Sequence, residues 1–253
     1  MLLHGLFGSR DNLAQLAGDL ATDHRVISID LPGHGLSSPI TDYSHESMAT
    51  AIAGVLSELN CERLSLVGHS LGGKASMQLA SEAEKLATLS IDKLVIVDIA
   101  PRHYPPHHDE VFAGLNQVPL GHDIDRRQAD KILAQKIPDP GIRAFLLKSF
   151  RRDDSGAWAW RFDVSELEKQ YEKLALAPSL PHRVSCPTLF IKGALSDYIL
   201  PEDESPIRAS FVSPEFKIIS DTGHWPHADK TTAFNRIVRR FLTRSNTLSL
   251  IHI

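Results

Sequence analysis

The stretch that most constrains the fold of this chain runs from Arg63 to Ala80, RLSLVGHSLGGKASMQLA. Leu64-Ser65-Leu66-Val67 reads as a short buried strand, and Leu71 onward reads as a helix rich in small residues. Between them lies Gly68-His69-Ser70-Leu71-Gly72, a G-x-S-x-G turn. A strand that becomes a helix within two residues forces its apex into strained backbone geometry, and flanking glycines let the two elements approach without Cβ clashes. Ser70 is that apex. Its hydroxyl is expected to stand clear of the sheet at a helix N-terminus, where the Leu71 N–H points outward and the helix dipole favours negative charge. That is a nucleophile with half an oxyanion hole. The competing reading is a glycine-flanked turn with an idle serine, and the rest of the chain decides between them.

The elements on either side alternate between buried strand and amphipathic helix. Met1–Leu3 reads as the stub of a central strand that runs into the turn His4-Gly5-Leu6-Phe7-Gly8. A helix carrying Leu13, Leu16, Ala17 and Leu20 follows, capped by Ser9 or Asp11, and then a strand over Arg25–Asp30. After the irregular loop Leu31–Ser38, Ser44 caps a helix with Met48, Ile52, Val55, Leu56 and Leu59 on one face. Beyond the elbow, Lys93–Asp98 is another strand. This rhythm predicts an α/β fold with a mostly parallel sheet covered by helices on both faces.

At Pro101 the pattern changes. Residues 102–184 read as an inserted helical cap without strands, made of helical pieces between the proline-rich joints Pro105-Pro106, Pro138, Pro140, Pro178 and Pro181. One piece is Asp125–Lys136, where Asp125 and Gln128 make a capping box. The α/β core, begun over residues 1–101, resumes over 185–244 with strands at Thr188–Lys192 and Phe216–Ile219. A last helix follows with Phe234, Ile237, Val238, Phe241 and Leu242 on one face. Residues 245–253 match no helical face and read as a tail, disordered or foreign.

Length and composition leave room for this arrangement and narrow the function. A chain of 253 residues suffices for one large core plus an insertion. A formal net charge of -4 gives no basic surface for nucleic acid. The two cysteines, Cys61 and Cys186, have no CxxC spacing and fit free thiols in a reducing compartment. No apolar run approaches a membrane span, so a cytoplasmic protein without membrane association is expected.

Every chemically suggestive residue falls just past a strand, where open α/β sheets collect their reactive groups: Ser70, Asp98, Asp197 and His224. The order nucleophile, acid, histidine and the motifs HGLFG (His4–Gly8), DLPGHGLS (Asp30–Ser37), VGHSLGG (Val67–Gly73) and GHWPHADK (Gly223–Lys230) together resemble the α/β-hydrolase superfamily over nearly the whole chain. Within it, HGLFGS, VDIAP and GHW.HA.K are most similar to the bacterial YbfF-type esterases. The resemblance implies a cofactor-free carboxylester hydrolase with a small helical cap, acting on short acyl esters and, for some members, on thioesters of coenzyme A. Such proteins carry about two further strands before the HGLFG turn. Strands are therefore expected to be missing at the N-terminal side, leaving an exposed, aggregation-prone apolar edge at Leu2–Leu3.

On this reading Ser70 attacks the ester carbonyl while His224 takes its proton and then delivers it to the leaving group. The oxyanion is expected to rest on the backbone N–H groups of Leu71 and Leu6, with Phe7 a weaker candidate. Two carboxylates compete to orient His224. Asp197 occupies the place after the penultimate strand where most α/β-hydrolases carry their acid, and Asp98 occupies the alternative place one strand after the nucleophile. Similarity to the YbfF type favours Asp98, with Asp197 the alternative or a helper at the pocket mouth.

Phe7, Trp158, Trp160 and Trp225 are candidate substrate contacts. The cap aromatics Phe145, Phe150, Trp158, Trp160 and Phe162 suit an acyl pocket or the packing of a small lid equally well. His4 is expected to brace the oxyanion turn, His34 the neighbouring loop, and His69 to point away from the nucleophile. His103, His107 and His108 lack a metal-binding spacing, and no metal is expected. Arg126-Arg127 and Arg151-Arg152 are better read as solvated charge than as contacts to coenzyme A phosphates. Ser70 argues against dehalogenases and epoxide hydrolases, which place a carboxylate at the elbow. Carbon–carbon bond hydrolases, perhydrolases and a non-catalytic ligand-binding receptor on the same scaffold remain the alternatives.

Overall fold

A computed structural model describes residues 1–85 and 88–244, so the tail reading for 245–253 lies outside the described residues. Six strands form one parallel sheet: β1 (Leu2–Leu3), β2 (Ser28–Ile29), β3 (Arg63–His69), β4 (Ser90–Val97), β7 (Thr188–Gly193) and β8 (Pro214–Ile219). Their order across the sheet is β2-β1-β3-β4-β7-β8. The first strand is therefore not an edge. Leu2 and Leu3 pair with Ser28 and Ile29 on one side and with Val67 and Gly68 on the other, and both leucines are buried. The expected exposed apolar edge at Leu2–Leu3 is corrected to a short, half-buried edge at β2, because the chain returns to pair on that flank.

The sheet separates two apolar layers, and β4 shows why continuous hydrophobic runs suit its centre. Leu94 and Ile96 face the layer that contains α2 (His45–Glu58) and α3 (Leu71–Ala83), while Val95 and Val97 face α1 (Ala14–Leu20) and α11 (Thr231–Leu242). All four are buried, which the period-two alternation of a strand requires when both faces are covered. On α11, Phe234, Val238 and Phe241 sit on the sheet side of the helix. Ser44 caps α2 by accepting the Ser47 N–H, and Ser9 and Asn12 cap a 3-10 turn at Arg10–Leu13 that leads into α1.

Between β4 and β7 lie α4 (Asp109–Gln117), α5 (Arg126–Leu133), α6 (Pro140–Leu147), α7 (Val164–Lys169) and α8 (Tyr171–Ala175). The capping box starting α5 is present, with each backbone N–H of Asp125 and Gln128 bonded at 2.7 Å to the other's side chain. The expectation that this segment has no strands is corrected. β5 (Phe150–Arg152) and β6 (Trp158–Trp160) form an antiparallel hairpin. Its turn is made by Asp153, whose carboxylate accepts the Ser155 and Ala157 N–H groups, and by Gly156 at φ +84°. Phe150 stacks on Trp158 at 5.3 Å and packs tilted against Trp160 at 4.7 Å, and these aromatic cross-strand contacts hold so short a ribbon together.

Candidate active site

Ser70 follows β3 and caps α3 at φ 52°, ψ −117°, a conformation that costs on the order of 1–3 kcal/mol for a residue with a Cβ. The glycines make the turn possible. A Cβ on Gly68 would lie 2.3 Å from the Gly72 carbonyl oxygen, and one on Gly72 would lie 2.5 Å from the carbonyl oxygens of Leu3 and His4. Phe7 (φ 61°) and Asp98 (φ 51°) are also left-handed, so three of the five such non-glycine residues among those described meet at this end of the sheet.

Asp98 follows β4 and is fully buried. Its Oδ1 accepts the Gly193 N–H at 3.0 Å, and its Oδ2 accepts the Nδ1–H of His224 at 2.8 Å. The Ser196 hydroxyl donates a short hydrogen bond to the same Oδ2. Three donors on a buried carboxylate fix its plane. Of the two candidate acids, the structure brings Asp98 against His224. Asp197 lies on the rim of the same cavity, exposed, and is not the partner of the imidazole.

Histidine side chains hold these parts together. His34 accepts the Phe7 N–H at 3.2 Å and so braces the His4–Gly8 turn. His4 accepts the Leu31 N–H at 2.9 Å through Nε2 while Nδ1–H donates to the Gly5 carbonyl, so it ties the turn to the following loop. His69 Nε2–H donates to the backbone carbonyl of His224 at 2.8 Å, so its ring is tied to the His224 loop. Burial lowers the pKa of His4 to about 4 and of His34 to about 3, which keeps both neutral and able to accept.

A cavity of about 720 Å³ opens over Ser70 and His224. Leu6, Phe7, Leu71, Phe145 and Trp225 line it, with Phe145 packed on Trp225 at 5.2 Å. Trp158 and Trp160 do not line it. They belong to the hairpin stack with Phe150, and Trp160 continues to Phe162 at 5.6 Å, so their assignment as substrate contacts is corrected. Arg126 donates to the Phe150 carbonyl and Arg151 to Asp11, both away from the cavity. His107 and His108 bond the hydroxyls of Tyr198 and Tyr171. Among the described residues no group of three or more His, Cys, Asp or Glu is placed to hold a metal.

Lys74 is a cavity residue that sequence reasoning missed. Its side-chain nitrogen donates to the carbonyls of Leu174, Ala175 and Leu176 at the end of α8, tying the inserted segment to α3. The available signal was one cation in a helix of small residues, four positions after Ser70. Ser196 and Tyr198 were also missed, and both flank the Asp197 that drew attention to their loop.

This arrangement defines a class of protein. The α/β-hydrolase family profile matches residues 1–237, and the chain belongs to that family. Within it the chain is similar to Esterase YbfF of Escherichia coli strain K12, 39% identical over 243 residues that cover 96% of this chain and 92% of that protein. The sn-1-specific diacylglycerol lipase ABHD11 of Mus musculus is 34% identical over 250 residues, 96% of this chain and 80% of that protein. A solved structure described as a marine microorganism esterase superposes with a TM-score of 0.89 at 31% identity, covering 95% and 93% of the two chains. By family and fold the chain is an α/β-hydrolase similar to the YbfF-type esterases. No helix among the described residues is long and apolar enough to cross a membrane.

Proposed function

We propose that this chain is a serine carboxylesterase that hydrolyses small acyl esters through an acyl-enzyme on Ser70, with His224 as general base and acid and Asp98 as the orienting carboxylate. The observation that carries the reading is the 2.8 Å bond from His224 Nδ1 to the buried Asp98, in a cavity whose wall includes the strained Ser70. With Nδ1–H committed to Asp98, the Nε2 lone pair is the one free to take the serine proton. The oxyanion falls to Leu71 and Leu6. The Phe7, Gly72 and Lys74 amides are spent on His34, the His4 carbonyl and the Ser70 carbonyl, whereas those of Leu6 and Leu71, which line the cavity, have no acceptor among the described residues. One such donor is worth about 3–4 kcal/mol to the tetrahedral intermediate.

The cavity also bears on the substrate. Its aliphatic and aromatic wall suits a short or medium acyl chain, and its polar rim carries Asp139, Asp197 and Asp229. Lys74 is the one lysine or arginine in the lining, and three carbonyls already hold it. Neutral esters therefore fit better than polyanionic acyl-coenzyme A thioesters. The relatives are an esterase and a diacylglycerol lipase by name, which supports ester rather than carbon–carbon bond hydrolysis.

The test is acyl-chain profiling with p-nitrophenyl esters beside acyl-coenzyme A thioesters, in the wild type and in Ser70→Ala. Hydrolysis of the esters is expected to vanish in Ser70→Ala, with the fold retained and fluorophosphonate labelling lost. Labelling at any other residue, or a clear preference for the thioesters, would overturn the corresponding part of the reading.

A further inference from the structure

Tyr198 has no part in the hydrolytic scheme above, yet its ring lies flat on the imidazole of His224. The ring centroids are 3.8 Å apart and the planes 22° from parallel, the shortest aromatic separation among the described residues. Four contacts fix the tyrosine in that position. Its N–H donates to Ser196 Oγ at 3.2 Å, and its carbonyl accepts the Tyr104 hydroxyl at 2.5 Å. Its ring stacks on Tyr104 at 5.4 Å, and its hydroxyl lies 2.7 Å from His107 Nε2. His107 Nδ1–H is committed to the Pro105 carbonyl at 2.9 Å, so Nε2 is the acceptor and the tyrosine hydroxyl the donor. Burial raises the pKa of the phenol, which keeps it neutral and leaves its π face facing the imidazole without a charge of its own.

A neutral aromatic face attracts a cation more strongly than it attracts a neutral ring. The imidazole of His224 alternates between those two states if it relays the serine proton, and the imidazolium is the form present beside the tetrahedral intermediate. We propose that Tyr198 is a positioning residue of the hydrolase: a pre-set aromatic shelf that holds the His224 ring in line with Asp98 and stabilises its imidazolium form. The inference rests on the assignment of His224 as the proton relay.

The other groups facing this ring leave that task to Tyr198 and Asp98. Asp98, past β4, meets the Nδ1 edge. His69 of β3 packs on the ring at 4.8 Å, tilted by 46°, and burial holds its pKa well below the usual range. His227 of α10 (Pro226–Asp229) and His108, just before α4, are each lowered to about 3, mainly by burial, so neither places a positive charge there near neutral pH. Asp197 and Asp229 lie further out on the cavity rim.

The experiment compares Tyr198→Leu and Tyr198→Phe with the wild type on p-nitrophenyl butyrate across pH. Tyr198→Leu is expected to lower kcat/KM by roughly 3- to 30-fold, mainly through kcat, which is the range a lost cation–π contact produces. The acid limb of its pH profile is expected to move to lower pH, because removing the ring destabilises the imidazolium relative to the neutral imidazole. Tyr198→Phe, which keeps the π face and loses only the hydroxyl, is expected to recover most of the loss. In the Ser70→Ala background, imidazole NMR of His224 should show the same acid shift with Tyr198→Leu, a readout that needs no turnover. Should the leucine variant fail to fold, Tyr198→Met repeats the comparison. An unchanged profile in the leucine or methionine variant would overturn the inference. So would a phenylalanine variant as impaired as leucine, which would assign the effect to the His107 hydrogen bond. Full activity in Ser70→Ala would instead refute the catalytic assignment, and the NMR comparison keeps the two failures distinct.

Discussion

The carboxylate of Asp98 carries three hydrogen bonds in a site with no water-facing surface, and that is why its replacement should be unlike any other at this end of the sheet. In Asp98→Asn one of the two oxygens becomes an NH₂ group that cannot accept. If the amide nitrogen faces His224, the imidazole must flip its tautomer and present an N–H to Ser70 in place of a lone pair. The expected cost is about 10⁴-fold in kcat, with the fold retained. Asp197→Asn changes an exposed rim charge and is expected to alter kcat less than about threefold, the behaviour of a solvated surface group. Steady-state kinetics of the two variants on one ester decide the matter, and a large loss confined to Asp197→Asn would reverse the assignment. The sequence left both acids open because spacing places each of them just past a strand. Only the close approach of the turns after β4 and β7 to the His224 loop, where a Cβ on Gly193 would meet the Gly223 carbonyl oxygen at 2.0 Å, separates them.

Strands β4 and β7, and most of β3, were legible because burial on both faces demands unbroken apolar runs, and the elbow was legible because few residues tolerate its backbone. Two elements were not. The six-residue strand expected over Arg25–Asp30 is reduced to Ser28–Ile29, since an edge strand with one short neighbour has little to pair with. The hairpin of β5 and β6 escaped because three-residue strands give no measurable period, and its tryptophans looked like pocket residues when they are its packing. That difference is testable. Trp158→Ala and Trp160→Ala are expected to destabilise the protein by roughly 1–3 kcal/mol each, as truncation of half-buried aromatics does, while moving KM for short esters less than threefold. Phe145→Ala, in the cavity wall against Trp225, is expected to do the reverse, raising KM with a smaller loss of stability. Thermal denaturation and ester kinetics on the three variants check it, and a tryptophan variant with a raised KM and unchanged Tm would restore the pocket assignment.

Much of this molecule is held together by histidines that must stay neutral. His4, His34, His45 and His227 are all less than a tenth exposed, and burial lowers their pKa values to about 4, 3, 4 and 3 respectively. Each titrates at its ordinary value of 6.5 once the chain unfolds. Between pH 6.5 and about 4 the unfolded chain therefore binds more protons than the folded one, and stability must fall as the pH falls through that window. The stabilisation is complete above pH 6.5. One such histidine costs about 1.4 kcal/mol at pH 5.5, so the four together cost about 5–6 kcal/mol, the same order as the whole stability of many domains. Carboxylates add little here, because those stabilised in the folded state lose their contribution only nearer pH 4. For a chain of this length that loss corresponds to a fall in Tm of about 10–20 °C between pH 7.5 and pH 5.5. Scanning calorimetry at half-unit intervals measures the slope directly, and the slope counts the protons taken up on unfolding. A Tm that stays flat to pH 5 would mean that these imidazoles reach solvent or gain partners when protonated, and that the tautomers holding the His4–Gly8 turn are not enforced by burial.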